Sequence, residues 1–249
     1  MAYKVLNNVS VKDVTSSDLL SLKTDLLVIV INKNTKDKVV NQLAKDVSSH
    51  LKESGSSVLV PNAKSFNAKN VLLVKGFQDS DQIHKLISMY QSIAQKGNQL
   101  KAKDISIMPG TVYPKGKCEM WLIEMVAKTI ESNVYIFSET CNKTAKKPSV
   151  KKLNILVSSL TKSDLIKAKN AAKKGYAIGE GVNSAKYLGD LPANHCTPRI
   201  IEKKVKAMTK DFPKLKVKSF NENQMKKMGM GSFLSCLLYT SDAADDVAS

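Results

Sequence analysis

The chain has 249 residues, of which 43% are apolar and 24% are charged. This composition is ordinary for a soluble globular protein, and the length allows one large domain or two modest ones. No run of about 18 apolar residues occurs, which excludes a membrane-spanning helix, and the stretch after Met1 lacks the apolar core of a signal peptide. We therefore expect a cytoplasmic protein that has no membrane partner.

The net charge of +17 suggests binding to nucleic acid, and a basic nucleic-acid-binding module is the alternative function that the sequence leaves open. Arg199 is the only arginine among the 39 basic residues, although arginine is preferred for bidentate contacts to phosphates and bases. The lysines are also spread along the chain. A solvated basic surface therefore explains the charge better than a dedicated nucleic-acid face.

Cysteine and histidine, the residues that most often bind transition metals, are few and irregularly spaced. The cysteines are Cys118, Cys141, Cys196 and Cys236. The histidines are His50, His84 and His195. Zinc sites usually pair cysteines two to four residues apart, and no such pair occurs. Adjacent side chains such as those of His195 and Cys196 rarely converge on one ion, so we predict no metal site here. In a cytosolic protein we also expect the thiols to be reduced.

Strand-like and helix-like segments alternate through the first two-thirds of the chain. The predicted strands are Asp25–Ile31, Ser57–Val60, Asn70–Val74, Ile105–Met108, Val134–Phe137 and Leu153–Val157. The predicted helices are Asp37–Lys52, Ser80–Lys96 and Lys117–Glu131. The buried face of the second helix is predicted from apolar residues at helical spacing, namely Ile83, Leu86, Ile87, Tyr90, Ile93 and Ala94. This alternation predicts an α/β domain with a largely parallel or mixed sheet.

A long helix is predicted next, with Thr161 and Asp164 at capping-box spacing at its start and Pro192 at its end. Three glycines interrupt its pattern: Gly175, Gly179 and Gly181. Each glycine costs a helix about 1 kcal/mol relative to alanine. A long helix between two α/β segments is a plausible connector between domains.

A second α/β unit is predicted to start immediately afterwards. Thr197 and Pro198 suit the N-cap and the first position of a helix. The apolar stripe of this helix consists of Ile201, Val205, Met208 and Phe212. Leu215–Phe220 alternates like a strand, and Asn221–Met228 has the pattern of a short helix.

The junction between these two units resembles the entry to the catalytic domain of the leucine (cytosol) aminopeptidases. That family shows an N-x-A-R-x-L-x-N-x-P-x-N run followed by T-P at the start of a helix, and later a G-M-G turn. The residues that match are Asn183, Ala185, Leu188, Pro192, Asn194, Thr197, Pro198 and Gly229-Met230-Gly231. Lys186 stands where arginine is usual, and Asp190 stands where asparagine is usual.

The resemblance implies a macro-domain-like N-terminal α/β module, a linker helix and a C-terminal hydrolytic α/β domain. The expected boundaries are 1–160 for the first domain, 161–190 for the linker helix and 191–235 for an incomplete catalytic domain. Members of the family use two divalent metals, zinc or manganese, to remove N-terminal residues from peptides, with leucine favoured. They commonly assemble as homo-hexamers.

The family's metal ligands lie in a G-K-G-x-T-F-D segment, a following aspartate segment and an N-T-D-A-E-G-R segment, and none of these segments occurs in the sequence. We therefore expect an inactive fragment in which no residue has a catalytic, cofactor-binding or metal-binding role. Residues 236–249 resemble the translation of a transposase adapter used in DNA sequencing, so we expect a foreign, disordered tail. Its carboxylates, Asp242, Asp245 and Asp246, are then not metal ligands.

Overall fold

The structure is a computed structural model, and it describes residues 5–31, 51, 53–77, 83–110, 113–140 and 147–235. By their contacts, the described residues up to Pro192 form one compact unit and those from Ala193 onward form another. The predicted helix Asp37–Lys52 lies almost wholly outside the described residues, as do His50, Cys141 and the tail from Cys236.

The first unit is built on a six-stranded sheet in the order β1-β6-β5-β2-β4-β3. Its strands are β1 (Asn8–Asp13), β2 (Thr24–Ile31), β3 (Ser57–Pro61), β4 (Ala68–Lys75), β5 (Asp104–Met108) and β6 (Lys152–Val157). All neighbouring strands are parallel except β3, which pairs with β4 in the antiparallel direction. The prediction of an α/β domain with a mixed, mostly parallel sheet is therefore confirmed.

Four described helices belong to this unit: α1 (Ser16–Ser21), α2 (Ile83–Gln99), α3 (Glu119–Val134) and α4 (Lys162–Asp190). Strand β2 lies in the middle of the sheet, and its side chains from Leu26 to Val30 are buried on both faces. Side chains of α2, α3 and α4 join one core cluster on one side of the sheet, while Leu19 of α1 joins a second cluster with Leu27 and Ile29. The apolar run that predicted a strand buried on both faces is thus explained by its central position.

The predicted face of α2 is buried apart from Ile83 and Ile87, of which Ile87 is half-buried and packs against the core. Tyr90, Ile93 and Ala94 are almost fully enclosed, whereas Ile83 is 38% exposed because it opens the helix. The burial of this stripe confirms that it belongs to the hydrophobic core.

The strand predicted at Val134–Phe137 is wrong. Val134 is the buried last residue of α3, and no strand is assigned to residues 135–138 in the part of the chain that the structure describes. The apolar side chains that suggested a strand pack elsewhere, since the ring of Phe137 lies 6.3 Å from that of Tyr187 in α4. The contact of Phe137 with α4 therefore outweighs local strand propensity here.

The second unit contains the helices α5 (Pro198–Asp211) and α6 (Glu222–Lys227), and residues 231–235 are helical as well. Thr197 caps α5 by accepting a hydrogen bond from the backbone N–H of Ile200, and Pro198 occupies the first turn, as predicted. The strand predicted at Leu215–Phe220 is wrong, because this segment has no ladder partner among the residues that the structure describes. Alternation alone does not make a strand when no neighbouring strand supplies hydrogen bonds.

Candidate functional site

Helix α4 carries the aminopeptidase-like run of residues at its C-terminal end. Its start is fixed by Thr161, whose hydroxyl accepts a hydrogen bond from the N–H of Asp164 at 3.1 Å and donates to the Asp164 carboxylate at 2.8 Å. This confirms the predicted cap. The helix ends at Asp190, and Leu191 is extended, which suits the residue before Pro192.

A stripe of small residues lets α4 approach α3 very closely. The buried residues of α4 are Ala168, Ala172, Gly175, Gly179 and Asn183. A Cβ atom on Gly175 would lie 2.0 Å from the carbonyl oxygen of Glu124, and one on Gly179 would lie 2.7 Å from Cβ of Glu131. These glycines, which look like interruptions in the sequence, are therefore required by the contact between the helices. The small residues of this stripe are spaced three or four apart, and this spacing was the sequence signal that could have predicted the close contact.

The centre of this contact is the buried carboxylate of Glu131 in α3. It accepts hydrogen bonds from the backbone N–H groups of Val5 at 2.8 Å and Leu6 at 3.0 Å, and from the side-chain amide of Asn183 at 3.0 Å. Loss of solvent raises the pKa of Glu131, although these N–H donors oppose the change. Glu131 thus joins the segment before β1 to both helices.

Asn183 of the family-like run donates hydrogen bonds to both the carboxylate and the backbone carbonyl of Glu131. Its side-chain amide also donates to the Glu131 backbone carbonyl at 3.0 Å, a group that the end of an α-helix leaves without an internal partner. Its own side-chain oxygen is buried and has no hydrogen-bond partner among the described residues. The first asparagine of the run therefore has a structural role at the end of α3.

Two further residues of the run contact the same part of the chain. The Lys186 ammonium donates to the backbone carbonyl of Ser132 at 2.6 Å and lies 5.9 Å from the centre of the Tyr135 ring. The Tyr135 hydroxyl donates to the Asp190 carboxylate at 2.8 Å. We call this set of contacts the clasp: Asn183, Lys186 and Asp190 on α4, and residues 131–135 at the end of α3.

The spacing within the run explains the clasp. Positions 183, 186 and 190 are separated by three and four residues, so they lie on one face of α4. Lysine in place of the usual arginine keeps a cationic donor, and aspartate in place of asparagine keeps an oxygen acceptor. Sequence reasoning identified these residues as a family signature but missed their contacts, because residues 131–135 are remote in the chain.

The segment before β1 is held by a second contact with α4. The hydroxyl of Tyr176 donates to the backbone carbonyl of Leu6 at 2.8 Å. Burial raises the pKa of this hydroxyl, and the nearby charge of Glu180 adds to the effect. Tyr176 and Glu131 together hold Val5 and Leu6 against the two helices.

An open cavity of about 620 Å³ adjoins the clasp. It is formed by the end of α2, the residues after Ser132, the segment 147–149 and Lys186 of α4. Among the described residues, its lining combines lysine, amide and hydroxyl side chains and contains no carboxylate.

Known proteins resemble the chain over most of its length. The cytosol aminopeptidase of Pseudomonas aeruginosa (strain PAO1) is 27% identical over 230 residues, which are 86% of this chain and 45% of that protein. The probable cytosol aminopeptidase of Azotobacter vinelandii is 29% identical over 236 residues, 89% of this chain and 47% of its own. The chain is homologous to the cytosol aminopeptidases. It spans about half the length of these relatives.

Solved structures show that the fold is shared with the aminopeptidases. A mutant tomato leucine aminopeptidase superimposes with a TM-score of 0.68 at 18% identity, covering 89% of this chain and 46% of that one. The bottromycin maturation enzyme BotP, determined in complex with Mn, gives a TM-score of 0.55 at 15% identity, covering 76% of this chain and 36% of that one. No protein-family model matches the sequence.

The metal chemistry of the aminopeptidases has no donor set in the described part of this chain. Within it, no three His, Cys, Asp or Glu side chains come together. His84 and His195 are exposed, Cys118 is an exposed thiol, and Cys196 is partly buried. These residues do not fit a pair of divalent metals, so we derive no catalytic step through metal ions. The searched residues also contain no helix long and apolar enough to cross a membrane.

Proposed function

We propose that the chain is the front portion of a leucyl aminopeptidase whose full-length form removes N-terminal residues from peptides, leucine favoured, with two divalent metals, zinc or manganese. The observation that carries the proposal is homology to cytosol aminopeptidases over 86% of this chain but only 45% of the relative. The family-like run of α4 lies in the described structure, and its polar residues have a definite structural role.

The proposed organisation follows the family. Residues 1–160 would form a macro-like domain, 161–190 the linker helix and 191–235 the start of the catalytic domain, followed by a foreign segment at 236–249. The close packing of α4 on α3 gives this linker a second task as part of the first unit's core. We further propose a cytoplasmic homo-hexamer of the full-length enzyme, with peptides as its substrates.

Catalysis belongs to residues outside these 249. The three family segments that provide metal ligands do not occur in the sequence, and the described residues contain no cluster that could replace them. Asn183, Lys186 and Asp190 are engaged in the clasp, so we assign them no contact with a substrate. The described residues contribute by fixing α4, the helix that leads into the second unit.

A chimaeric enzyme tests the proposal directly. Residues 1–231 would be joined to the part of the P. aeruginosa cytosol aminopeptidase that follows its own match to residue 231. We expect the chimaera to hydrolyse leucine p-nitroanilide with manganese or zinc and to lose this activity with a chelator. The 249-residue chain, and the Pseudomonas portion alone, should be inactive. Metal-stimulated hydrolysis by the 249-residue chain, or a folded chimaera without activity, would contradict the proposal.

A further inference from the structure

The cavity beside the clasp has an unusual set of polar groups. Three lysines, Lys101, Lys147 and Lys186, line it together with the amides of Gln95, Gln99 and Asn133. Its volume of about 620 Å³ falls in the range typical of small-molecule sites. A lining that is rich in N–H donors and has no carboxylate in the described part of the chain favours a ligand with negative charge and several oxygen acceptors.

The partial negative charge at the C-terminal ends of α2 and α3 is balanced by only some of the lysines that line the cavity. The C-terminal end of a helix carries partial negative charge and attracts cations. At α3 this is met by Lys186, which donates to the Ser132 carbonyl, and by Asn98, whose amide donates to the Val134 carbonyl at 2.9 Å. Lys101 and Lys147 are exposed and have no side-chain acceptor among the described residues. Two ammonium groups at the cavity therefore remain available to a ligand.

The backbone at Lys101 adds an independent observation. The N–H of Lys101 bonds to the carbonyl of Asn98, and the N–H of Ala102 bonds to that of Gly97, which is the Schellman pattern at the end of α2. Lys101 occupies the left-handed position of this motif with φ of +52°, where glycine is strongly preferred. A lysine at this position is strained, and such strain is typical of functional sites.

We propose that this cavity binds a small anionic ligand of the phosphate-ester class. Lys101 and Lys147 hold the phosphate oxygens, and the amides of Gln95 and Gln99 bind further oxygen atoms of the ligand. The site lies before β5 and β6, at the amino ends of these strands, since Lys101 precedes Asp104 and Lys147 precedes Lys152. It is therefore separate from the carboxyl edge of the sheet, where open α/β sheets usually bind ligands.

The experiment must separate this site from the general attraction of a chain with net charge +17. The probe is inorganic pyrophosphate, titrated calorimetrically into the 249-residue chain at constant ionic strength. The pair Lys101→Gln and Lys147→Gln removes two charges from the cavity. The matched control, Lys12→Gln with Lys64→Gln, removes two exposed charges that do not line it.

We expect the cavity pair to raise the dissociation constant for pyrophosphate about tenfold or more. The control pair should change it less than about twofold, because exposed distant charges are screened.

A second readout uses Lys101→Gly, which should weaken binding while raising the melting temperature by about 2–4 °C, since glycine relieves the left-handed strain. Undetectable binding by the unmodified chain, or equal weakening by both pairs, would overturn the proposal.

Discussion

The two units of this chain use the same kinds of amphipathic segments but differ in what those segments cover. In the first unit, α2, α3 and α4 bury their apolar faces in a core built on a six-stranded sheet. In the second unit, α5 has no buried residue, and Ile201 and Phe212 on its predicted apolar stripe are 37% and 47% exposed. The same periodicity therefore produces a core in one unit and a partly exposed apolar face in the other.

This difference shows that apolar periodicity predicts where a helix forms but not which surface the helix packs against. The apolar stripe of α5 is as regular as that of α2, yet only α2 lies against a sheet. Helical stability in proteins comes mainly from packing of the apolar face, so the two helices should differ greatly in stability. The following predictions test this comparison, from the largest expected effect to the smallest.

Removal of α4 should have the largest effect. A chain of residues 1–192 should unfold cooperatively in urea, whereas a chain of residues 1–160 should lack a cooperative transition. The reason is that α4 covers α3 through buried Ala168 and Ala172 and through Gly175. Domains are stable by only about 5–15 kcal/mol, so exposing this surface should exceed the margin. Circular dichroism against urea measures both chains, and equal midpoints would contradict the role given to α4.

Gly175→Ala should be the most damaging single change at the contact between α3 and α4. The new methyl group would meet the carbonyl oxygen of Glu124 at 2.0 Å, and the backbone would have to move. We expect a loss of about 3 kcal/mol of unfolding free energy. The control is Gly181→Ala in the same helix, where the added Cβ meets nothing within 4 Å. It should gain about 1 kcal/mol from helix propensity. Similar effects of the two changes would exclude the close approach of α3 and α4.

Glu131→Gln should destabilise the first unit by about 2 kcal/mol at pH 7, because the new NH₂ group cannot accept the hydrogen bonds that Glu131 receives. Burial raises the pKa of Glu131 above its ordinary value of 4.5, so the folded state binds this proton more tightly than the unfolded state. The carboxyl's contribution is therefore full below pH 4.5 and declines as the pH rises. Urea unfolding between pH 4.5 and 7 should show the deficit of the variant growing at lower pH. A deficit that shrinks there would contradict the assigned pKa direction.

Lys186 should show the smallest effect. Lys186→Met removes the donor to the Ser132 carbonyl and should cost about 1 kcal/mol. Lys186→Arg, which restores the residue usual in the family, should stay within about 0.5 kcal/mol because it keeps a cationic donor. Thermal unfolding of residues 1–192 measures both variants. Equal losses for methionine and arginine would show that the hydrogen bond contributes nothing to the clasp.

Much of the fold could be predicted from the sequence because its strands and caps depend on local signals. The apolar run of β2, the cap at Thr161 and the proline after Thr197 each carry their information within a few residues. The two wrong strands, Val134–Phe137 and Leu215–Phe220, had strand-like composition, but hydrogen-bond partners for them were not part of the pattern.

The clasp and the cavity could not be predicted, because they join remote segments. Glu131 meets Val5 and Asn183 across separations of 126 and 52 residues. Lys101 and Lys147 belong to different loops, and nothing in their local sequence relates them. The family-like run indicated where a relationship lies but not which contacts its residues make, since those depend on how α4 packs against α3.

Hydrogen exchange on the intact 249-residue chain tests the central contrast most directly. Amides of α3 and α4 should exchange only through global unfolding of the first unit, since both helices belong to its core. Amides of α5 should exchange orders of magnitude faster, because no residue of this helix is buried. If the amides of α5 were protected as strongly as those of α4, the contrast between a buried core and a helix without buried residues would be wrong.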